Sequence, residues 1–150
     1  MKILRVLLLL GLAGSLWAAP GSGWKSDLAA AQAQAKAEGK SVLVDFTGTA
    51  WSDPWKVLNQ EVYKSAEFTA WAADKILVRL DYPERNERAP AKVAANPALG
   101  KLIAIKNDFN IRGFPTLIWL NAEGEEVARV IGYREGMGPM AYIAELTKPR

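Results

Sequence analysis

The sequence predicts an α/β domain built on one mixed sheet with helices on both faces. Two short β-rich runs, 41–47 (Ser-Val-Leu-Val-Asp-Phe-Thr) and 76–81 (Ile-Leu-Val-Arg-Leu-Asp), are separated by a helical stretch, the pattern of a right-handed parallel unit. Two further β-rich runs, 116–120 and 126–131, are joined by Asn121-Ala122-Glu123-Gly124-Glu125, a hairpin signal that makes them antiparallel. The full order is helix, strand, helix, strand, helix, strand, strand, helix, which a single sheet covered on both sides accommodates.

Each element has a local cause. Ser26 or Asp27 can cap a helix over 28–38, a run of strong helix formers that Gly39 stops. After the strand at 41–47, Gly48-Thr49-Ala50 forms a turn, and Ser52-Asp53-Pro54 starts a second helix with an N-cap side chain and a proline in the first turn. That helix carries Trp55, Leu58 and Val62 and breaks near Ser65 before Phe68 and Trp71. The strand at 76–81 is followed by a polar connection over 82–96, long enough to suggest a functional or mobile loop. Asn96-Pro97 opens a third helix to about Asn107, and a last helix spans about Pro139 to Leu146.

Composition limits the chemistry. Of 150 residues 50% are hydrophobic and 23% charged, the balance of a globular protein. The chain contains no cysteine and no histidine. Zinc therefore lacks its usual ligands, Ser-His-Asp and Cys-His mechanisms are excluded, and thiol–disulfide exchange on the protein's own side chains is impossible without a thiolate. No metal or cofactor is expected. The formal charge is +3, but Lys2 and Arg5 belong to a start that reads as an export signal. Met1 to Arg5 supplies positive charge, Val6 to Leu16 is apolar, and Trp17-Ala18-Ala19-Pro20 offers a cleavage site after Ala18. The apolar stretch falls short of the roughly 20 residues a spanning helix needs. The expected organisation is a signal peptide at 1–18 and one domain at 24–148, periplasmic or secreted, with no stable membrane insertion after cleavage. The remaining 17 basic and 16 acidic residues form no basic block, so nucleic acid is not an expected partner.

Two motifs on these elements resemble the thioredoxin family. Val44-Asp45-Phe46-Thr47-Gly48-Thr49-Ala50-Trp51-Ser52-Asp53-Pro54-Trp55-Lys56 is similar to the family's strand, turn and helix start, where Trp-Cys-x-x-Cys-Lys is expected. Ile111-Arg112-Gly113-Phe114-Pro115-Thr116 is similar to the loop that carries the family's cis-proline. Glu61-Val62-Tyr63 and Gly132-Tyr133 are weaker matches, and the likeness spans about Trp24 to Leu146. It implies a thioredoxin-like fold with a mixed four-stranded sheet, and the closest likeness is to exported bacterial members. Ser52 and Trp55 stand where the two redox cysteines belong, so the activity the family would imply is lost. A helix dipole contributes at most about 2 kcal/mol and cannot bring a serine hydroxyl into use near neutral pH.

The positions that matter under this resemblance each have a plain alternative. Ser52 could be a nucleophile with Lys56 as base, or could stabilise a bound thiolate as some glutathione transferases do on this fold; the plainer reading is a helix cap. Asp45 matches the family's buried acid that assists proton transfer, and without a thiol to serve it reads as an acid at a strand end, hydrogen-bonded or partly solvated. Pro115, if cis, would turn the backbone of Phe114 outward, so that its N–H and C=O could pair with an extended peptide. Trp51, Trp55, Gly113, Phe114 and Pro115 would form that groove, with both tryptophans partly exposed, while Trp71 and Trp119 fill the core. Three functions follow: a non-catalytic module for an extended peptide or protein partner, a thiol-handling protein acting through Ser52, and a purely structural domain.

Overall fold

The computed structural model describes residues 23–85 and 90–148; the signal segment at 1–18 lies outside the described residues. Four strands form one sheet in the order β2-β1-β3-β4, with β1 Val42–Thr47, β2 Ile76–Asp81, β3 Thr116–Leu120 and β4 Glu126–Ile131. β1 pairs parallel with β2, placing Asp45 beside Arg79, and antiparallel with β3. β3 and β4 form the expected hairpin. Among the described strands β1 alone is buried along its whole length, because it lies inside the sheet and both its faces are covered.

The helices divide between the two faces. On one, α1 (Leu28–Glu38) and α5 (Pro97–Asp108) pack over Val42, Val44 and Phe46. On the other, α2 (Asp53–Leu58), a π-helical turn at Asn59–Tyr63, α3 (Ala66–Ala72) and α6 (Gly138–Thr147) cover Leu43 and Leu117. Asp27, rather than Ser26, caps α1, accepting from the Ala30 N–H at 3.0 Å, and Gly39 ends it with φ of 65°. Ser65 both marks the break after the π turn and caps α3. The stretch 82–96 is not all connection: Pro90–Ala95 forms a short helix, α4, leading into α5, which Asn96 caps.

Lys25 adds one rung beside β2, donating to the Leu77 carbonyl at 2.8 Å and accepting from the Arg79 N–H at 2.7 Å. This covers part of the β2 edge and brings Trp24 against Tyr63, with ring centres 4.9 Å apart. Trp71 and Trp119 are only half-buried, against the expectation that they fill the core. They pack against the core of their face and meet edge to face at 5.6 Å, with the Lys75 ammonium over both rings.

Candidate functional site: two tryptophans at the start of a helix

The turn between β1 and α2 places Trp51 and Trp55 on opposite sides of a backbone bend. Ser52 caps α2: its N–H donates to the Gly48 carbonyl at 2.8 Å, and its hydroxyl accepts from the Trp55 N–H at 3.4 Å. Ser52 is 1% exposed. The Lys56 ammonium pairs with Asp53 at 2.9 Å and makes no hydrogen bond to the Ser52 hydroxyl among the described residues. The cap reading is the one the geometry supports.

Trp55 is buried, and this corrects the expectation of partial exposure. Its indole N–H donates to Asp45 Oδ2 at 3.0 Å. Asp45 is buried and hydrogen-bonded, as the resemblance implied, and lies inside β1 rather than at a strand end. The same oxygen accepts from Arg79 Nε at 2.9 Å. The Arg79 guanidinium in turn lies 4.3 Å from the centre of Trp24 and 4.9 Å from that of Trp55, a cation between two indoles. Burial pushes the Asp45 carboxyl above its ordinary range, with the Arg79 charge and the hydrogen bonds from Arg79 and Trp55 opposing. The hydroxyls of Tyr63 and Tyr142, Asp45 Oδ1 and one Arg79 terminal nitrogen are buried and make no hydrogen bond of normal geometry among the described residues, yet Tyr63 lies close enough to Asp45 and to Tyr142 to influence their ionisation. Burial, and after it the Asp45 charge, raises the pKa of both phenols.

Trp51 turns the other way and stays half-buried. Its indole N–H donates to the Tyr82 carbonyl at 2.8 Å, and its ring meets Phe114 edge to face at 5.4 Å. Phe114 also touches Tyr82, at 5.1 Å between ring centres. Gly48 makes the seat for Trp51: a Cβ there would stand 2.1 Å from the indole. Asp81 pins the turn by accepting from the Thr49 N–H at 2.8 Å and the Thr49 hydroxyl at 2.6 Å.

Across from this turn, the Phe114–Pro115 peptide is cis. Pro115 is buried, while Gly113 and Phe114 are half-buried. The Pro115 carbonyl accepts from the Gly132 N–H at 2.7 Å and the Gly113 carbonyl from the Thr116 hydroxyl at 2.8 Å. The N–H and C=O of Phe114 between them have no hydrogen-bond partner among the described residues. Ile131, 59% exposed at the end of β4, borders this stretch, its Cγ2 lying 3.5 Å from where a Cβ on Gly113 would stand.

Sequence reasoning brought Asp45, Trp51, Ser52, Trp55, Gly113, Phe114 and Pro115 into view, and the structure divides them between two places rather than joining them in one groove. It missed Arg79. The signal was available: an arginine in an apolar strand, paired in register with a strand that carries a buried acid.

A cap-bearing turn after the central strand, a buried acid beneath the helix start and a cis-proline loop facing it define a protein of the thioredoxin fold, here without its cysteines. The chain belongs to the thioredoxin-like domain family, whose sequence profile matches residues 28–145. It is similar to the disulfide bond reductase DsbH of Chlamydia pneumoniae, 28% identical over 124 residues that span 82% of this chain and 69% of that protein. It is 28% identical over 123 residues to the thiol:disulfide interchange protein DsbD of Yersinia enterocolitica, covering 81% of this chain but only 18% of DsbD. Among solved structures, a DsbH oxidoreductase superposes with a TM-score of 0.65 at 28% identity, over 81% of this chain and 79% of that one. A putative disulphide-isomerase from Bacteroides thetaiotaomicron reaches 0.61 at 19% identity over 88% and 98% of the two chains, a likeness of fold.

Proposed function

We propose that this chain is an exported, non-catalytic binding module that holds an extended segment of a protein partner along Phe114. The observation that carries the reading is the pair of unengaged main-chain groups on Phe114, set between the half-buried ring of Trp51 and the exposed side chain of Ile131. An extended chain laid there satisfies both groups, as strand addition does elsewhere. Each such hydrogen bond contributes only about 1 kcal/mol net, so side-chain contact with Trp51 supplies much of the remainder. Trp55 takes no part in contact with the segment; it is buried on the other side of the turn, against Asp45. Export through a signal at 1–18, and a periplasmic or secreted location, belong to the same reading, supported by the charged and apolar start of the sequence.

The rival reading, a thiol-handling protein acting through Ser52, finds little support in a hydroxyl that is buried and already capping a helix. Titration of unstructured peptides, followed by tryptophan fluorescence, tests the proposal. Binding is expected in the micromolar range, and Trp51→Ala weakens it by about tenfold, whereas Lys36→Ala on the outer face of α1 leaves it unchanged. The absence of any binder in a broad peptide library, or binders indifferent to Trp51, leaves the structural reading in its place.

A further inference from the structure

We propose that Glu61 is a positioning residue for the Phe114 edge, a latch that fixes the loop at 132–138 as the edge's neighbouring wall; the inference rests on the strand-pairing reading above and adds what holds that site in place. The loop leaves β4 at Gly132 and ends where α6 begins, and Gly132, Gly136 and Gly138 have φ of 74°, 78° and 76°. Glycine backbone of this kind has much freedom to lose, so a group outside the loop has to hold it. Glu61 does so from the π-helical turn. Its Oε2 accepts from the Gly136 N–H at 2.9 Å and from the Tyr133 hydroxyl. The Tyr133 oxygen in turn accepts from the Gly138 N–H at 3.1 Å.

Both sides of this contact are anchored. The π turn is closed by the Lys64 N–H donating to the Asn59 carbonyl at 3.1 Å, and Val62 and Tyr63, which follow Glu61, are buried in the core. The Tyr133 ring rests against Tyr142 of α6, with ring centres 5.7 Å apart. From Tyr133 the connection to the edge is short. Gly132, the residue before it, donates to the Pro115 carbonyl at 2.7 Å, and Ile131 pairs with Thr116. The chain that Glu61 fastens is therefore the direct continuation of the strand end beside Phe114 and Pro115. A wall already held in place spares an arriving segment the cost of ordering it. Glu61-Val62-Tyr63 and Gly132-Tyr133, the two short stretches that matched the family weakly, meet at this bond across 72 residues of sequence.

Two measurements on the same variants test the idea: amide hydrogen exchange at Gly136 without peptide, and the affinity for a labelled unstructured peptide by fluorescence anisotropy. Glu61→Ala is expected to speed Gly136 exchange by about tenfold and to weaken peptide binding by about fivefold. Glu61→Gln keeps an acceptor oxygen and recovers most of the affinity, which separates the bond from a general loss of packing. Tyr133→Phe, which removes a single oxygen atom, weakens binding less and tests the same latch if Glu61→Ala does not fold. Adding Tyr133→Phe to Glu61→Ala costs little further, because both act through one contact. Unchanged affinity in both single variants, or a Gly136 amide that keeps its protection without Glu61, overturns the latch and leaves strand pairing standing. No binding by the unaltered protein overturns both.

Discussion

The indole of Trp55 donates its N–H inward, to a carboxylate without any exposure, while that of Trp51 donates to a main-chain carbonyl and keeps contact with solvent. The two residues belong to one turn, and their surroundings decide their roles. Beneath Trp55 lies Asp45, which needs donors once it is buried; the indole supplies one and Arg79 the other. Beneath Trp51 lies Gly48, which has no side chain and so offers a flat seat. Where the family's resolving cysteine belongs, the chain has built a closed polar–aromatic lock. The neighbouring face, where relatives of this fold carry their cis-proline loop, keeps an open main-chain edge.

That contrast breaks most visibly at Trp55. Trp55→Ala removes a buried indole and one of the two donors to Asp45, and should cost about 3–5 kcal/mol in urea denaturation. A loss below about 1 kcal/mol would mean that Trp55 is a surface residue after all. Gly48→Ala acts on the other side. Its methyl group needs the space of the Trp51 indole, and about 1–3 kcal/mol of stability should be lost, together with a shift in Trp51 fluorescence that Trp55 substitutions do not produce.

The lock should also be sensitive to pH. Because burial raises the Asp45 carboxyl above its unfolded value, the folded chain holds that proton when the unfolded chain has already released it. The contribution is fully present below the ordinary carboxylate range and is lost as pH rises through the raised value. Stability of the native sequence should therefore fall relative to Asp45→Asn between about pH 4 and the alkaline side of that titration. Parallel pH profiles for the two proteins would remove Asp45 as the titrating group.

The sheet was legible because its signals are local and mutually consistent. The strands at 76–81, 116–120 and 126–131 come out with the expected bounds, since β-branched runs, a hairpin turn and N-cap residues each specify their own neighbourhood. Asp27, Ser52, Ser65 and Asn96 all cap helices where a polar residue precedes a helical run. The α4 helix was hidden because a Pro-opened stretch of alanines in a polar connection has little periodicity to mark it. The site was harder. Burial of Trp55 depends on Asp45 and Arg79, and that pairing follows from the register of two strands separated by two helices and a π turn. No window along the chain contains all three residues. Composition, by contrast, settled the chemistry at once, because a chain with no cysteine has no thiolate to offer.

The division between lock and edge is tested most directly by following the amide and indole N–H resonances during titration with an unstructured peptide. The account predicts that the Phe114 amide and the Trp51 indole N–H shift progressively and saturate together, while the Trp55 indole N–H, held by Asp45 in the core, does not move. A stationary Phe114 amide, or a Trp55 indole that shifts along with the bound fraction, would contradict it.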